Sequence, residues 1–588
     1  MAGGHFPREN GRTSRLTWIG FSRSAFKHIS AGYADFATRF GREAMIDRFR
    51  CPSGRRSPPE VRAVRHNTPQ TLTVIHMADL TQSEQSEVIS FLSDPRTFGK
   101  CAAVARIDTH GSIVFLAGDN AYKVKRAVKF PFMDFSSLER RRAACEAEIE
   151  VNKLNAPNLY LNVIPIVRGA NGLSLGGDGA IVDWAVCMRR FDENSTLDKV
   201  VERHGLTTDV IVRLARAVVR SHERAPLRDG AAAADQLGLY LDQNEEAFVA
   251  DRSLFDPGRV RLLARSAHAA LSAVRPLLIA RGEVGCVRRC HGDLHLRNLA
   301  LIDGEPTLFD AIEFDDAIAT GDVLYDFAFL LMDLEERGLR PQANNLFNRY
   351  IWLSDGSALS GLAALPIFLS IRAAIRAKVI AANLTNLSGD EQNRAASEAR
   401  RYFWFAEDFL KPRPVRLLAI GGLSGTGKSA LAGQIAPALG RAPGAVWLRS
   451  DIERKRLFKT QETDHLPAVA YDEAAGRQVY DRIRRLAAQA LKAGQSVVVD
   501  AVHAAADEQK AVEAVAAEFG VAFTGLWLEA PLETRLRRIG ARANDASDAD
   551  ATVARSQIAS QPDTSWRRLD AAGDLACATA AAVSILEP

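Results

Sequence analysis

Short apolar runs separated by turn-forming residues recur in the first half of the chain. Ile113–Leu116 and Ala121–Val124 flank a Gly-Asp-Asn turn, and Ala300–Ile302 and Thr307–Phe309 flank an Asp-Gly turn. Apolar runs of this length around such turns are typical of β-hairpins. The pattern therefore predicts two hairpins, and it also predicts strands at Asn162–Val167 and Ile181–Met188.

Between and after these runs the apolar positions recur at intervals of three and four, which is typical of helices. Phe135 to Lys153 is rich in Glu, Arg and Ala and follows the capping pair Ser136-Ser137. Residues 192–290 are predicted to be mostly helical, with a cap at Thr207-Thr208-Asp209. Further helices are predicted between Pro341 and Leu410.

After Lys411-Pro412-Arg413-Pro414, where two prolines end the preceding helix, strands and helices alternate. The predicted helix Ser429–Leu439 follows the first of four buried strands, which are Val415–Ile420, Trp447–Arg449, Ser496–Val499 and Val521–Leu528. Such alternation favours a parallel, doubly wound sheet.

The chain is predicted to have three parts joined by one linker. Residues 1–76 form a basic extension that we expect to be poorly ordered, and Met77 resembles a natural start with a helix capped near Thr81. Residues 77–410, the front module, mix a strand-rich and a helical part. Residues 411–414 form the linker, and residues 415–588 form the rear module.

Composition excludes several classes of protein. Of 588 residues, 47% are hydrophobic and 25% charged, which is typical of a soluble globular chain, and no apolar run reaches membrane-spanning length. Seven scattered cysteines without a CxxC pair indicate reduced thiols and a cytoplasmic protein. The net charge is +4, but residues 1–76 alone carry +8, so the remaining residues carry −4. The overall charge therefore does not indicate a nucleic-acid partner.

The stretch Cys290–Asp310 holds groups suited to phosphoryl transfer. The carboxylate of Asp293 can accept the proton of an attacking hydroxyl. Asn298 and Asp310 can hold the Mg²⁺ that neutralises the phosphates of ATP. The predicted hairpin would bring these three side chains together.

A second phosphate-binding motif follows the first strand of the rear module, where Gly422–Ser429 matches GxxxxGK[ST] in full. The backbone amides of this loop, which includes Gly425, Thr426 and Gly427, are predicted to cradle phosphates. Lys428 would reach the β and γ oxygens, and the Ser429 hydroxyl would bind Mg²⁺. Asp500, at the end of an apolar strand, is predicted as a water-mediated Mg²⁺ ligand.

The HGDxxxxN pattern of the front module resembles the catalytic loop of the aminoglycoside phosphotransferase and choline kinase branch of the protein-kinase-like fold. The resemblance implies a two-lobed fold in which Lys123 contacts the α and β phosphates, with Lys125 as the alternative. It also implies a glutamate that pairs with this lysine, for which Glu148 matches best and Glu146 is the alternative.

The same resemblance extends to other positions. The backbone at Gly111-Ser112 could close over phosphates, and Met188 lies in the segment expected to contact adenine. Asp322 and Asp326 resemble aspartates that brace the catalytic loop. Arg372 and Arg376 lie one turn apart, and we interpret them as a solvated stripe, with an acidic acceptor as the alternative.

Asp451 and Arg454, three residues apart, resemble the acceptor-binding pair of polynucleotide-kinase-like and gluconate-kinase-like P-loop families. In that reading Asp451 takes the proton of the acceptor hydroxyl and Arg454 binds the acceptor. An arginine-rich helix would then cover the transferring phosphate through Arg535, Arg538 and Arg542, and residues 541–565 resemble a lid.

Residues 77–588 together resemble the bifunctional aminoglycoside phosphotransferase/ATP-binding protein family. The resemblance implies a Mg²⁺-dependent enzyme with two ATP-binding modules that phosphorylates a hydroxyl of a small molecule. One alternative is a nucleotide-sensing switch in which one module binds ATP and regulates its neighbour. Another is a 5′-hydroxyl polynucleotide kinase, although the chain shows no basic groove interleaved with aromatic residues.

Overall fold

The computed structural model describes residues 77–99, 103–109, 111–130, 133–354, 356–542, 545–557 and 565–586. The predicted basic extension, residues 1–76, lies outside this range. The described residues form two units. The first unit contains the described residues up to 153, together with residues 157–191 and 382–392. The second unit contains residues 154–156 and 192–381 and the described residues from 393 onward. Among the described helices, none combines the length and apolar character needed to cross a bilayer.

The first unit is built on an antiparallel sheet. After helix α1 (Met77–Ser93) come β1 (Val104–Asp108), β2 (Ser112–Ala117), β3 (Asn120–Lys125), β4 (Lys129–Phe130), β5 (Met133–Asp134), α2 (Leu138–Lys153), β6 (Tyr160–Gly169), β7 (Gly172–Leu175) and β8 (Ala180–Arg189). The sheet order is β1-β2-β3-β8-β6-β7, and β4 pairs with β5 separately. Alternate residues such as Ile113, Phe115 and Val124 are buried in the core of this unit, as the period of a strand requires.

The predicted strands of this unit are confirmed, and the helix ends differ. Helix α1 begins at Met77, so Thr81 lies inside it and does not cap it. Helix α2 begins at Leu138, three residues after the predicted start, because Ser137 precedes the first turn and its hydroxyl accepts a hydrogen bond from the amide of Arg140.

Helices and short strands follow from residue 197 to residue 408. They are α3 (Leu197–His204), α4 (Thr208–Arg224), α5 (Gly230–Ala250), α6 (Pro257–Glu283), β9 (Val287–Arg289), β10 (Leu299–Ile302), β11 (Glu305–Leu308), α7 (Asp316–Ala319), β12 (Thr320–Asp322), α8 (Val323–Glu336), α9 (Arg340–Leu353), α10 (Leu365–Asn383) and α11 (Gly389–Asp408). The hairpin β10–β11 and the cap at Thr207 are confirmed, since the Thr207 hydroxyl accepts from the amide of Val210.

The rear module contains a parallel sheet, as predicted. Its elements are β13 (Arg416–Gly422), α12 (Lys428–Ile435), β14 (Val446–Arg449), α13 (Ser450–Leu457), α14 (Glu473–Lys492), β15 (Val497–Asp500), α15 (Ala506–Glu518), β16 (Ala522–Glu529), α16 (Leu532–Gly540), α17 (Ala551–Ser556), β17 (Arg567–Asp570) and α18 (Leu575–Leu586). The strand order is β14-β15-β13-β16-β17, with every pair parallel.

Two details of the rear module differ from the predictions. Helix α12 ends at Ile435, because Pro437 disfavours helical backbone before it and the chain continues as the 3₁₀ turn Ala436–Ala438. Strand β17 was not predicted. The second unit holds residues on both sides of 411–414, and the domain division at this linker stays a prediction.

Candidate active site

The loop before hairpin β10–β11 brings Asp293 and Asn298 into contact. The Asn298 amide nitrogen Nδ2 donates to Asp293 Oδ2 at 2.9 Å and to the Asp293 carbonyl at 3.0 Å. Asn298 is 4% exposed, whereas the Asp293 side chain is 40% exposed. Because Nδ2 is used as a donor, the Asn298 carbonyl oxygen is the atom that could bind a cation.

His295 is a second partner of Asp293, which the sequence pattern did not indicate. Its Nδ1 accepts a hydrogen bond from the amide of Arg297 at 3.2 Å, so the ring proton is on Nε2. Nε2 lies 3.3 Å from Asp293 Oδ2. Both neighbours therefore approach the same carboxylate oxygen. The part of the chain that the structure describes provides no hydrogen-bond donor to Oδ1.

Asp310 follows β11 at the open end of the same hairpin. The amide of Phe309 donates to the Asn298 carbonyl at 3.0 Å, which places the backbone of Asp310 next to that of Asn298. Asp310 has a φ of 59°, in the left-handed region that non-glycine residues rarely adopt. Such backbone strain concentrates at functional sites. Its role as a metal ligand stays a prediction.

The electrostatics of the loop keep Asp293 ionised. Burial acts to raise the pKa of the Asp293 carboxyl, but His295, His291 and Arg376 outweigh it and hold the pKa well below its usual range. Burial lowers the pKa of His291, whose Nε2 lies 2.9 Å from the carbonyl oxygen of Phe309. A neutral His291 donates that bond from Nε2 and joins the loop to β11.

Asp326 braces the loop as predicted. Its Oδ1 accepts from the amide of Gly292 at 2.8 Å, and its Oδ2 lies 3.1 Å from His222 Nε2. His222 Nδ1 contacts the Tyr350 hydroxyl at 2.8 Å. Gly292 has a φ of 81°, and a Cβ here would lie 3.1 Å from the backbone of Ala319, so only glycine fits.

Asp322 acts elsewhere. It caps helix α8 and binds Arg281 through both carboxylate oxygens at 2.6 and 2.9 Å. Its predicted contact with the catalytic loop is therefore replaced by a buried ion pair between Arg281 of helix α6 and the residue that caps helix α8.

The solvated-stripe interpretation of Arg372 and Arg376 is wrong. Arg372 is 6% exposed and its guanidinium lies 3.9 Å from the Tyr325 ring. It donates to the carbonyl oxygens of Gly292 at 3.1 Å and Tyr325 at 3.3 Å. Arg376 is half-buried and lines a cavity of about 480 Å³ that also includes His295. Both arginines therefore face inward. Arg372 contacts helix α8 and the catalytic loop, and Arg376 faces the cavity.

In the first unit, the predicted ion pair forms and includes both lysines. Lys123 Nζ lies 2.7 Å from Glu148 Oε1, and Lys125 Nζ lies 2.5 Å from Glu148 Oε2. Burial acts to raise the pKa of Glu148, but the two lysines lower it to about 2. The alternative Glu146 pairs with Arg142 on the surface at 2.8 Å. Lys125 is 1% exposed and Lys123 12%, which leaves Lys123 the better placed of the two for a ligand.

Three other residues of this unit, Met188, Ser112 and Gly111, were predicted to bind nucleotide. Met188 is half-buried on β8 and pairs in register with Ala121 of β3. The amide of Ser112 donates to the Thr109 hydroxyl at 3.0 Å, and Ser112 is 5% exposed. That amide is therefore already used, which argues against Ser112 as a phosphate donor. Gly111 precedes it, and its role stays a prediction.

In the rear module, the glycine-rich loop connects β13 to α12 as the motif requires. Gly425 has a φ of 85°, and a Cβ there would lie 2.7 Å from the carbonyl oxygen of Arg535. Because α12 begins at Lys428, the first amides of the helix lack partners within it and can meet an anion. Lys428 Nζ donates to the carbonyls of Gly422 at 2.8 Å and Leu423 at 3.2 Å.

Ser429 and Asp500 meet at the carboxyl ends of neighbouring strands. Asp500 ends β15, pairs in register with Ile420 of β13, and is 3% exposed. Burial raises the pKa of the Asp500 carboxyl, and the neighbouring Arg449, Lys428 and Ser429 oppose that shift. Its Oδ2 is buried and receives no hydrogen bond from the described residues. A buried carboxylate oxygen in this position fits a Mg²⁺ site.

Asp451 and Arg454 line a cavity of about 580 Å³ together with Lys428 and Ser429. Arg454 lies 4.9 Å from the Tyr471 ring and donates to the carbonyl oxygen of Ala470. Burial lowers the pKa of Lys428, while Asp500 and Asp451 oppose that shift. The predicted acceptor pair and the phosphate loop therefore share one cavity.

The three arginines predicted to cover the phosphate have different positions. Arg538 lines the cavity and donates to the carbonyls of Thr426 and Gly573, both at 3.0 Å. Arg542 also lines the cavity, with Nη1 buried and without a hydrogen-bond partner among the described residues. Arg535 does not line it, which corrects the prediction. Arg535 is 3% exposed and supports the loop by donating to the Ser424 carbonyl at 2.8 Å.

Arg449 is a buried residue whose contacts the sequence pattern did not indicate. It lies 3.8 Å from Asp500, 3.2 Å from Asp545 and 4.0 Å from Glu462. Asp545 belongs to the predicted lid, part of which lies outside the described residues. Arg449 ends strand β14, and its sequence neighbours do not indicate these contacts. The three carboxylates belong to distant segments that come together at Arg449 only in the folded chain.

Comparisons with known proteins agree with this arrangement. A model of the phosphotransferase enzyme family matches residues 117–364, and a model of the AAA domain matches residues 417–564. Uncharacterized protein Rv2004c of Mycobacterium tuberculosis H37Rv is 29% identical over 475 residues, which cover 79% of this chain and 92% of that protein.

Two solved structures are similar to separate parts of the chain. The choline/ethanolamine kinase family protein from Mesorhizobium loti aligns with 56% of this chain and 95% of its own, at 14% identity and a TM-score of 0.34. The Mycobacterium tuberculosis APS kinase CysC aligns with 30% of this chain and 100% of its own, at 22% identity and a TM-score of 0.22. From the two family matches, this chain is an ATP-dependent phosphotransferase that joins a kinase-like domain of the phosphotransferase enzyme family to a P-loop AAA domain, the composition of the bifunctional aminoglycoside phosphotransferase/ATP-binding protein family.

Proposed function

We propose that the front module transfers the γ-phosphoryl group of ATP to a hydroxyl of a small molecule, with Asp293 as the base. The observation that carries this proposal is the asymmetry of the Asp293 carboxylate. Asn298 and His295 both hold Oδ2, while no described residue donates to Oδ1. A half-exposed, ionised carboxylate with one oxygen left open is suited to accept a proton from a substrate.

The proposed reaction moves the γ-phosphoryl group from ATP to the acceptor hydroxyl in one displacement. The hydroxyl oxygen of the acceptor forms a bond to the γ-phosphorus as its proton moves to Asp293 Oδ1. The bond between the γ-phosphorus and the bridging oxygen breaks, and ADP leaves with that electron pair. The chain supplies position and charge, because His295 and Asn298 fix the orientation of the carboxylate.

The chain offers candidate Mg²⁺ ligands in each module. In the front module these are Asn298 and Asp310, and in the rear module Ser429 and Asp500. When bound with ATP, Mg²⁺ would neutralise the charge of the phosphate oxygens. The buried Oδ2 of Asp500, which receives no hydrogen bond from the described residues, is the observation that supports the rear site.

In the rear module, Asp451 is the proposed base and Arg454 the proposed acceptor ligand, next to Lys428 in one cavity. Arg538 and Arg542 enter the same cavity and can bind phosphate oxygens. This arrangement supports a second phosphoryl transfer to a hydroxyl.

A second candidate function is favoured by a chain of polar contacts through the second unit. The carboxylate of Glu462 pairs with Arg349 of helix α9 and lies 4.0 Å from Arg449, which in turn lies 3.8 Å from Asp500. Tyr350, next to Arg349, contacts His222 below the catalytic loop. Nucleotide at the rear site could thereby regulate the front module.

The test is transfer of radiolabelled γ-phosphate from ATP to small alcohols by the full chain. We expect Asp293→Asn to reduce labelling by the front module about 10²–10⁴-fold, the usual range for loss of a general base. Lys428→Ala should remove only the rear activity. If labelling in Asp293→Asn equals that of the unmodified chain on every acceptor, Asp293 is not the base.

The regulatory candidate has its own readout. In that case Lys428→Ala and Arg349→Met would both change the rate of labelling at the front module, although neither residue lies in its catalytic loop. Independent modules would instead show an unchanged front rate in both variants.

A further inference from the structure

The cavity of about 480 Å³ beside His295 has a charged wall, and most of its negative charge is already compensated. Three wall carboxylates pair with cations, namely Asp333 with Arg337, Glu336 with Arg401, and Glu202 with Lys199. Close pairs of opposite charge contribute little net field to the space they line. The cavity is therefore less acidic than its composition implies.

Arg376 differs from the paired arginines of this wall. Its guanidinium lies 5.6 Å from the centre of the Tyr402 ring. Among the described residues, no carboxylate forms an ion pair with it and no oxygen accepts a hydrogen bond from it. A guanidinium has five N–H donors, and leaving them without acceptors in a half-buried position is costly unless water or a ligand binds them.

Arg376 acts on the proposed base Asp293 and shares a cavity with its partner His295. Arg376 contributes to the field that acts on Asp293, and His295, which contacts Asp293, lines the same cavity. Arg297 lines it too, and its nearest carboxylate, that of Asp198, is 3.8 Å away. Two weakly compensated guanidinium groups thus line the same cavity as His295, the residue that contacts the proposed base Asp293.

We propose that the acceptor of the front module carries a carboxylate or phosphate group, in addition to the hydroxyl that is phosphorylated, and that Arg376 binds this anion. The inference rests on the proposed function of the front module and specifies the chemical class of its acceptor. A guanidinium suits this role because its planar fork can donate two parallel hydrogen bonds to either group.

The negative charge of Glu398 opposes the binding of an anion in this cavity, so its removal gives a second test of the proposal. It also lines the cavity, and the described residues provide no cation that pairs with it. A negative charge at this position weakens the attraction between the cavity and an anion. Removal of that charge should therefore strengthen anion binding, opposite to the effect of removing Arg376.

The test measures binding of glycerate, glycerol and ethanolamine, alcohols of different charge, to the full chain by isothermal titration calorimetry. A non-hydrolysable ATP analogue and Mg²⁺ are present throughout. We expect glycerate to bind at least about tenfold more tightly than the other two, which is the usual effect of one charge-assisted hydrogen bond. Arg376→Gln should abolish this preference and Glu398→Gln should increase it.

Arg394→Gln, an exposed position on helix α11, is the matched control and should keep the preference. Retained affinity of Arg376→Gln for the ATP analogue shows that the variant is folded. Equal binding of the three alcohols, tighter binding of ethanolamine, or a preference for glycerate that survives in Arg376→Gln would overturn the inference. Because the readout is binding, a chain that prefers glycerate but transfers no phosphate contradicts the proposed function and supports the anion site.

Discussion

Arg372 donates a hydrogen bond from Nη1 to the carbonyl oxygen of Gly292 at 3.1 Å, one residue before the proposed base Asp293. The amide of Gly292 meanwhile donates to Asp326 at 2.8 Å. Both polar groups of this glycine are therefore held by side chains from helices α8 and α10. The orientation of Asp293 depends on these two contacts, although neither partner touches the carboxylate itself.

Replacing Arg372 should therefore impair catalysis more than binding. In Arg372→Met, the carbonyl oxygen of Gly292 loses its side-chain donor, at a cost of about 1–3 kcal/mol in folding free energy. We expect kcat to fall about 10- to 100-fold through misplacement of the base, with the KM for ATP changed less than about threefold. Steady-state kinetics check this, with Arg394→Met as the exposed control. A higher KM at unchanged kcat would contradict the positioning role.

Glu148 should be essential to the stability of the first unit. It compensates two lysines, and its side chain and that of Lys125 are each 1% exposed. Glu148→Gln keeps the shape of the side chain but removes the negative charge that pairs with both Lys123 and Lys125. We expect a loss of about 3–5 kcal/mol in the free energy of unfolding.

Glu146→Gln is the matched control for this change, because Glu146 lies two residues away in the same helix and pairs with Arg142 on the surface. Its effect should be within about 0.5 kcal/mol. Thermal unfolding of both variants measures the loss in the free energy of unfolding that each change causes. Equal losses of stability would show that the pair of lysines does not depend on Glu148.

His503 should make the stability of the rear module sensitive to acid. It is 1% exposed, between Tyr480 and Trp566, and burial lowers its pKa to about 3. Below pH 6.5 the unfolded chain binds a proton that folded His503 does not bind. Stability is therefore full above pH 6.5 and decreases as the pH falls toward 3, by up to about 1.4 kcal/mol per pH unit.

Calorimetric unfolding between pH 7.5 and pH 5 measures this dependence. His503→Asn should flatten it, since asparagine does not titrate and tolerates the positive φ of 50° at this position. His204→Asn, at an exposed position, should leave it unchanged. Burial also lowers the pKa of His291, which adds to the slope in the same direction and remains in the variant. An unaltered slope in His503→Asn would exclude His503 as its source.

The parts that the sequence predicted well depend on residues close together in the chain. The loop at Gly422–Ser429, the hairpin that carries Asn298, and the alternation of strands and helices all follow from local spacing. Glu148 could be predicted as the partner of the strand lysine because the resemblance to the kinase-like family places the pairing glutamate within helix α2.

The errors concern side chains whose partners are distant in sequence. Arg372 contacts Gly292, 80 residues earlier, and Arg535 contacts Ser424, 111 residues earlier. A spacing of four residues shows that Arg372 and Arg376 share a helix face, but it does not tell whether that face meets solvent or the core. Arg449 was missed for the same reason, since Glu462, Asp500 and Asp545 come together only in the folded chain.

Each module of the chain is proposed to hold its own nucleotide site. Equilibrium dialysis of a non-hydrolysable ATP analogue against the full chain, with Mg²⁺, measures the number of sites directly. We expect two nucleotides per chain, and one in either Lys428→Ala or Lys123→Ala, with the remaining site unchanged in affinity. A single nucleotide per unmodified chain, or two in Lys428→Ala, would contradict the proposal.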